Sequence, residues 1–192
     1  LLLATAGAIL LPLPKSVNRE FRALELNAQQ RHAGALAASI EGYLNDRVAM
    51  LGDLAGNTTI LRATLDHDNE FLNAKDRIAE FTMLGEKYPI GLYDFEGVLI
   101  CESDGADMPS ILSDASGESV LERMELGTHE PIEVVQFESR WYWKLVVPVH
   151  YVDAIEGALV ARIPVEHSFE SQTRETGSEV VNADLTFRGR VI

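Results

Sequence analysis

The clearest pattern along the chain is a long stretch of helical periodicity in its first third. From Arg19 to Leu54 there is no proline, and apolar residues recur at positions 36, 40, 43, 44, 48, 51 and 54. This spacing predicts one long helix with a stripe to bury, and Gly34 is the candidate point for a break. The more polar first part of the helix, Asn18 to Arg31, suits a stalk that stands in water.

Two shorter helices are expected next. Asn57, Thr58 and Thr59 offer N-cap residues for a helix over Ile60 to Leu65. A second pattern of helical spacing runs from Asn69 to Lys87, and Pro89 prevents its continuation.

After Pro89 the period changes to two, which predicts strands. Two short strands surround the turn Asp94-Phe95-Glu96-Gly97, and a loop and a short helix over 118–126 follow. Three longer β-type runs then form a meander, over 132–137, 141–150 and 155–164. A polar segment over 169–177 is a candidate helix, and the tail alternates around a turn at Arg188-Gly189. The pattern predicts an α+β fold in which the long helix packs on a central antiparallel sheet.

The N-terminal run, Leu1 to Leu13, is uncharged and almost wholly apolar. A complete transmembrane helix needs about 20 apolar residues, so this run is interpreted as the end of such a helix over residues 1–15. A remnant of a signal peptide and a buried core helix are the alternatives. In the first interpretation, everything after Lys15 lies on the far side of a membrane.

Composition and charge exclude several classes of function. The net charge is −14, which repels nucleic-acid backbones and argues against binding to them. Cys101 is the only cysteine, so it is expected to be a small buried residue and not a disulfide partner or metal ligand. The five histidines lack paired metal-ligand spacing, and glycine-rich phosphate-binding and nucleophile motifs are absent. We therefore expect no enzyme activity, metal or cofactor.

The candidate binding residues lie on the middle strand of the meander. Alternation places Trp141, Trp143, Leu145 and Val147 on one face, which should pack under the long helix or in the core. The other face carries Arg140, Tyr142 and Lys144, where two cations and a phenol could clamp a carboxylate.

Three further residues are candidate contacts of the same ligand. These are Tyr93 and Asp94 from the first hairpin and Asp153 from the last turn, and an aspartate would suit a ligand ammonium group. The alternative interpretation is that Arg140, Tyr142 and Lys144 form a solvated outer face.

The order of these elements resembles the Cache sensor domains, which are extracytoplasmic relatives of the PAS fold. The local matches are Leu92 to Ile100, then Val146 to Val149 leading to Glu156 to Val160. The resemblance covers roughly Arg19 to Phe169, so residues 16–170 are interpreted as the sensor domain. Residues 171–192 would form an extra strand pair or begin a second PAS-like unit. The amino-acid-binding branch of the family carries Arg-x-Trp-Tyr, whereas Arg140-Trp141-Tyr142 lacks the spacer residue.

The resemblance implies the input module of a histidine kinase, chemoreceptor or cyclic-dinucleotide enzyme. It places the receptor in a bacterial inner membrane, with this domain in the periplasm or outside the cell. The first hypothesis is a sensor for a small carboxylate or amine. The second is a module of the same fold without a ligand, acting in homodimerisation or in docking a partner protein, since the stripe from Leu36 to Leu54 could serve a dimer as well as a core.

Overall fold

The fold was analysed in a computed structural model, which describes residues 15–103, 120–176, 186–187 and 190–191. The helices are α1 (Lys15–Ala55), α2 (Thr58–Leu65), α3 (His67–Glu80), α4 (Val120–Glu125) and α5 (Val165–Thr176). The longer strands are β1 (Ile90–Asp94), β2 (Leu99–Glu102), β3 (Ile132–Phe137), β4 (Arg140–Tyr151) and β5 (Ala154–Pro164). Two short strands, β6 (Thr186–Phe187) and β7 (Arg190–Val191), pair with each other.

The chain divides into two compact units, residues 1–39 and 40–192. In the first unit, α1 carries side chains that are almost all exposed from Arg22 to Ser39, including Leu24 and Leu26. Helix α1 continues through Gly34 without interruption, so the candidate break does not occur. In the part of the chain that the structure describes, no helix has both the length and the apolarity needed to cross a membrane. Residues 1–13, which carry the predicted membrane segment, lie outside the described residues.

The second unit is built around an antiparallel sheet in the order β2-β1-β5-β4-β3. One face of the sheet is covered by helices and forms the main core. Gly52 of α1 lies against Val147, Thr64 of α2 lies against Gly157, and the indole N–H of Trp143 donates to Ser168 of α5 at 3.1 Å. The expectation that the tryptophan face packs in the core is confirmed for Trp143, which is buried beside α5, whereas the contact of this face with the long helix is made by Val147.

The stripe on α1 serves this core. Most of its large side chains are buried in the single chain, namely Ile40, Tyr43, Leu44, Leu51 and Leu54. Because these positions are already covered by the rest of the unit, this stretch of the stripe is not available to a dimer partner.

The shorter elements agree with the sequence except at α3 and at the start of α5, which begins at Val165 instead of residue 169. Asn57 caps α2 by accepting a hydrogen bond from the Thr59 N–H at 2.9 Å. Helix α3 ends at Glu80, seven residues before the predicted end at Lys87. The chain instead turns through a small bridge between Met83 and Glu86, in which Leu84 and Gly85 both have positive φ. The predicted loop up to Ser119 lies mostly outside the described residues.

Candidate functional site

The second face of the sheet is covered by α4, and we call it the α4 face. Met124 of α4 packs there against Tyr93, Val146, Ala158 and Val160. Lys144 and Arg162 lie on the same face and are buried. The interpretation of this face as a solvated outer surface is therefore wrong for Lys144, because its side chain is only 2% exposed.

Two cations meet at the centre of this face. Lys144 of β4 is directly opposite Arg162 of β5. The Arg162 guanidinium carbon lies 4.6 Å from the centroid of the Phe137 ring and 5.7 Å from that of Tyr142, and these two rings meet nearly edge to face. Cation–π contacts of this kind offset part of the cost of burying a guanidinium. Lys144 and Arg162 therefore form a positive region, and the rings of Phe137 and Tyr142 beside it are called the aromatic wall.

A carboxylate joins Lys144 to α4. Glu133 lies opposite Lys144 on β3, and its Oε2 is 2.6 Å from Lys144 Nζ. Its other oxygen, Oε1, accepts from Arg123 Nη2 at 2.9 Å. Burial alone would raise the pKa of the Glu133 carboxyl, but Lys144 and Arg123 outweigh it and hold the pKa below its usual value.

Tyr93 of β1 lies on the α4 face, where its ring packs with Met124. Its ring lies close to Gly91, where an added Cβ would be 3.0 Å from a ring carbon, a tight contact that a side chain at this position would make and glycine avoids. Burial raises the pKa of Tyr93 to about 12, the charge of Glu102 adds to that rise, and the charge of Arg162 opposes it. The hydroxyl therefore stays protonated and can donate a hydrogen bond at neutral pH.

His129 lies just after α4, and its backbone N–H donates to the backbone oxygen of Arg123. Its Nε2 lies 3.3 Å from the backbone oxygen of Val146. Burial lowers the pKa of the His129 ring and the nearby cations Arg123 and Lys144 lower it further, although the hydrogen bond to Val146 and the charge of Glu133 act in the opposite direction. Because the pKa of His129 is lowered, its ring is neutral at neutral pH.

The structure brings together some of the sequence-predicted site residues and separates others. Tyr142, Lys144 and Tyr93 lie on the α4 face, and Arg140 is exposed at the start of β4. Asp94 caps the first hairpin, because its Oδ1 accepts from the N–H groups of Glu96 and Val98 at 2.9 and 2.8 Å. Asp153 is exposed in the β4–β5 turn, separated from Lys144 by roughly 20 Å of extended strand. One small ligand cannot contact all six residues.

Sequence reasoning missed Arg162, Glu133, Arg123 and His129. Arg162 had a visible signal, since it is the one charged residue in the otherwise apolar run Ala158 to Pro164. Glu133 had a weaker signal, as a charge inside a predicted strand. In the described residues no cluster of His, Cys, Asp and Glu has the geometry to hold a metal ion. Cys101 is buried, and burial raises the pKa of its thiol to about 12.

Comparison with solved structures identifies the fold. The chain is similar to the sensor domain of the histidine kinase DctB from V. cholerae, with a TM-score of 0.61 and 16% sequence identity. That match covers 79% of this chain and 60% of the DctB domain, so the chain spans less than two thirds of that domain's length. A second similar structure is the ligand-binding domain of the Pseudomonas aeruginosa amino acid chemoreceptor PctB, solved with L-Gln. Its TM-score is 0.47 at 13% identity, with 70% of this chain and 53% of that domain covered.

No protein-family model and no curated protein sequence matches the chain. The structural match nevertheless fixes the architecture, because the DctB sensor domain has the PAS-like fold of Cache sensors. The α+β, Cache-type fold expected from the sequence is confirmed.

Proposed function

We propose that this chain is the ligand-sensing input domain of a bacterial transmembrane signalling receptor and binds a small molecule on the α4 face. The observation that carries the proposal is the buried pair of opposed cations, Lys144 and Arg162, beside an aromatic wall. The Cache-type fold supports a sensing role, since the similar DctB domain is the sensor domain of a histidine kinase. The output could be a histidine kinase, a chemoreceptor or a cyclic-dinucleotide enzyme.

The proposed site has a centre and a rim. Lys144 and Arg162 supply the charge that a ligand carboxylate would meet, while Tyr142 and Tyr93 supply ring surface and hydroxyl groups. Arg140 is exposed at the end of the same strand and would contact only a ligand that extends past Tyr142. Asp94 pairs with Gly157, five residues along β5 from Arg162, and Asp153 lies in the exposed β4–β5 turn, so both are far from this centre and an ammonium group on the ligand would need another partner.

A signal can leave this site through the sheet. Strand β4 presents Lys144 to the α4 face and Val147 to the opposite face, where it lies against Gly52 of α1. A shift of β4 on ligand binding would therefore be passed to α1 as a small translation or rotation. We further propose that the apolar run before α1 anchors the receptor in the inner membrane, with this domain in the periplasm.

Calorimetric titration of small carboxylates and amines into the purified chain tests the binding proposal. For a ligand that binds, Lys144→Ala should lower the affinity at least tenfold, which is about 1.4 kcal/mol. Arg62→Ala is the control, because Arg62 is an exposed cation on α2 outside the proposed site, and its loss should change the affinity less than threefold. Unchanged affinity in Lys144→Ala would exclude this face as the site.

A second function is favoured by one observation. Glu133 already satisfies Lys144 within the chain, as it would in a module that binds no ligand and acts as a spacer or a docking domain. Failure of every carboxylate and amine to bind either the unmodified chain or variants that open the site would favour this second function.

A further inference from the structure

Glu133 holds its carboxylate where a ligand carboxylate would be expected. Both of its oxygens are used, one by Lys144 at 2.6 Å and the other by Arg123 at 2.9 Å. Two cations that grip the two oxygens of one carboxylate make a geometry that recognises the carboxylate group itself. The side chain of Glu133 thus occupies an anion position that the fold has already built.

The Glu133 side chain is also more exposed to solvent than the Lys144 side chain that it contacts. Strand β3 is the edge strand of the sheet, and the side chains of Arg123 and Glu133 are 21% and 16% exposed, whereas that of Lys144 is 2% exposed. Glu133 is therefore a partly accessible partner of the buried ammonium group. A long, unbranched side chain on an edge strand can turn outward without disturbing the backbone pairing.

The energetics favour exchange over simple release. If Glu133 turned outward alone, Lys144 would keep a buried charge without this carboxylate, and breaking a buried ion pair costs several kcal/mol. An incoming carboxylate removes that cost because it replaces the same two contacts. Neutral molecules and amines offer no such replacement.

We propose that Glu133 is an internal competitor and that the ligand of the α4 face is a small carboxylate that displaces it from Lys144 and Arg123. The inference rests on the proposed function and specifies its ligand class. It also gives the exchange a structural consequence. Arg123 belongs to α4, so its ion pair with Glu133 ties α4 to β3, and transfer of Arg123 to a ligand releases that tie.

Titration of the purified chain with linear mono- and dicarboxylates of two to six carbons, and with amines of matched length, provides the test. Glu133→Gln removes the competing charge, and Glu138→Gln removes one exposed carboxylate from the nearby β3–β4 turn as the matched control. We expect Glu133→Gln to bind a carboxylate at least tenfold more tightly than the unmodified chain, and Glu138→Gln to differ by less than twofold. Circular dichroism establishes that each variant is folded.

Each outcome decides the inference. Tighter carboxylate binding by Glu133→Gln supports it, including the case in which only this variant binds. Equal or weaker carboxylate binding by folded Glu133→Gln overturns the inference and leaves the proposed function standing. Binding of an amine in place of a carboxylate has the same two consequences. Binding of nothing by any form overturns both. If Glu133→Gln does not fold, Glu133→Asp takes its place, because the shorter aspartate side chain cannot span both cations. Glu133→Asp should then bind the carboxylate more tightly than the unmodified chain, by a smaller factor than expected for Glu133→Gln. No gain in affinity in Glu133→Asp would overturn the inference.

Discussion

Lys144 and Arg162 occupy directly opposite positions on β4 and β5, so two buried cations share one face of the sheet. Opposed like charges on neighbouring strands destabilise a sheet, and burial makes the repulsion stronger. Such a pair is tolerated where anions and aromatic rings offset it. Here Glu133 contacts Lys144, and the rings of Phe137 and Tyr142 lie beside Arg162. An added anion would reduce this repulsion, so the α4 face favours anion binding. This is the basis of the proposed function.

The ion pairs of Glu133 should make stability depend on pH in one direction. The pKa of Glu133 in the folded chain lies below its ordinary value of 4.5, so its pairs stabilise the fold fully above that value. The stabilisation is lost as the pH falls through the lower, folded pKa. Urea unfolding of the chain and of Glu133→Gln should give a difference in unfolding free energy that is constant between about pH 7 and about pH 6 and shrinks in acid. A difference that grows in acid would contradict the assigned contacts.

The hydrogen bond between Trp143 and Ser168 should couple these residues energetically. Ser168→Ala removes the acceptor of a buried indole N–H and should cost about 1–2 kcal/mol of unfolding free energy. In a Trp143→Phe background there is no N–H to satisfy, so the same change should cost less. A double-mutant cycle by chemical denaturation measures the difference, and additivity of the two changes would show that the bond contributes nothing.

The burial of Arg47 should make it sensitive even to a conservative change. Its guanidinium lies over the Tyr43 ring at 3.2 Å and is 3.5 Å from Glu86. A lysine keeps the charge but lacks the planar group that stacks, so Arg47→Lys should lower the unfolding free energy by about 1–2 kcal/mol. Arg62→Lys on the exposed side of α2 is the control and should change it by less than about 0.5 kcal/mol. Equal effects of the two changes would show that the stacking is not important.

The β4–β5 turn contains a strained position that can be relieved. Val152 is 81% exposed and has φ of 57°, a left-handed conformation that costs a β-branched residue about 1–2 kcal/mol. Val152→Gly should therefore raise the thermal midpoint, although the greater freedom of glycine in the unfolded chain offsets part of the gain. Val98→Gly, at an exposed valine without positive φ, should lower the midpoint. A fall in both variants would contradict the strain at Val152.

Hydrophobic periodicity predicted the architecture, because runs of period two indicated the strands of the meander and the helical stripe of α1 indicated a face to bury in the core. It also separated Trp143 from Lys144 correctly, since neighbouring residues of a strand point to opposite faces. The early end of α3 was not predictable from periodicity, because the turn at Leu84 and Gly85 interrupts a pattern that still looks helical.

The central feature of the site depends on a detail of pairing that alternation cannot supply. The register of β4 and β5 shifts between Val149 and His150. Continued from the turn pair Tyr151–Ala154 without that shift, the ladder would place Lys144 opposite Ala161. The irregularity moves the partner by one residue, so Lys144 meets Arg162. A one-residue change of register therefore decides whether the two cations share a face.

The most direct test of the central claim is a crystal structure of the chain grown with a ligand that binds in calorimetry. The account predicts ligand density on the α4 face, within hydrogen-bond distance of Lys144 Nζ and beside Arg162, with the Glu133 carboxylate moved away. Ligand density elsewhere, for example in the groove of about 310 Å³ lined by His67, Phe71 and Val98, with Lys144 and Glu133 still paired, would contradict it.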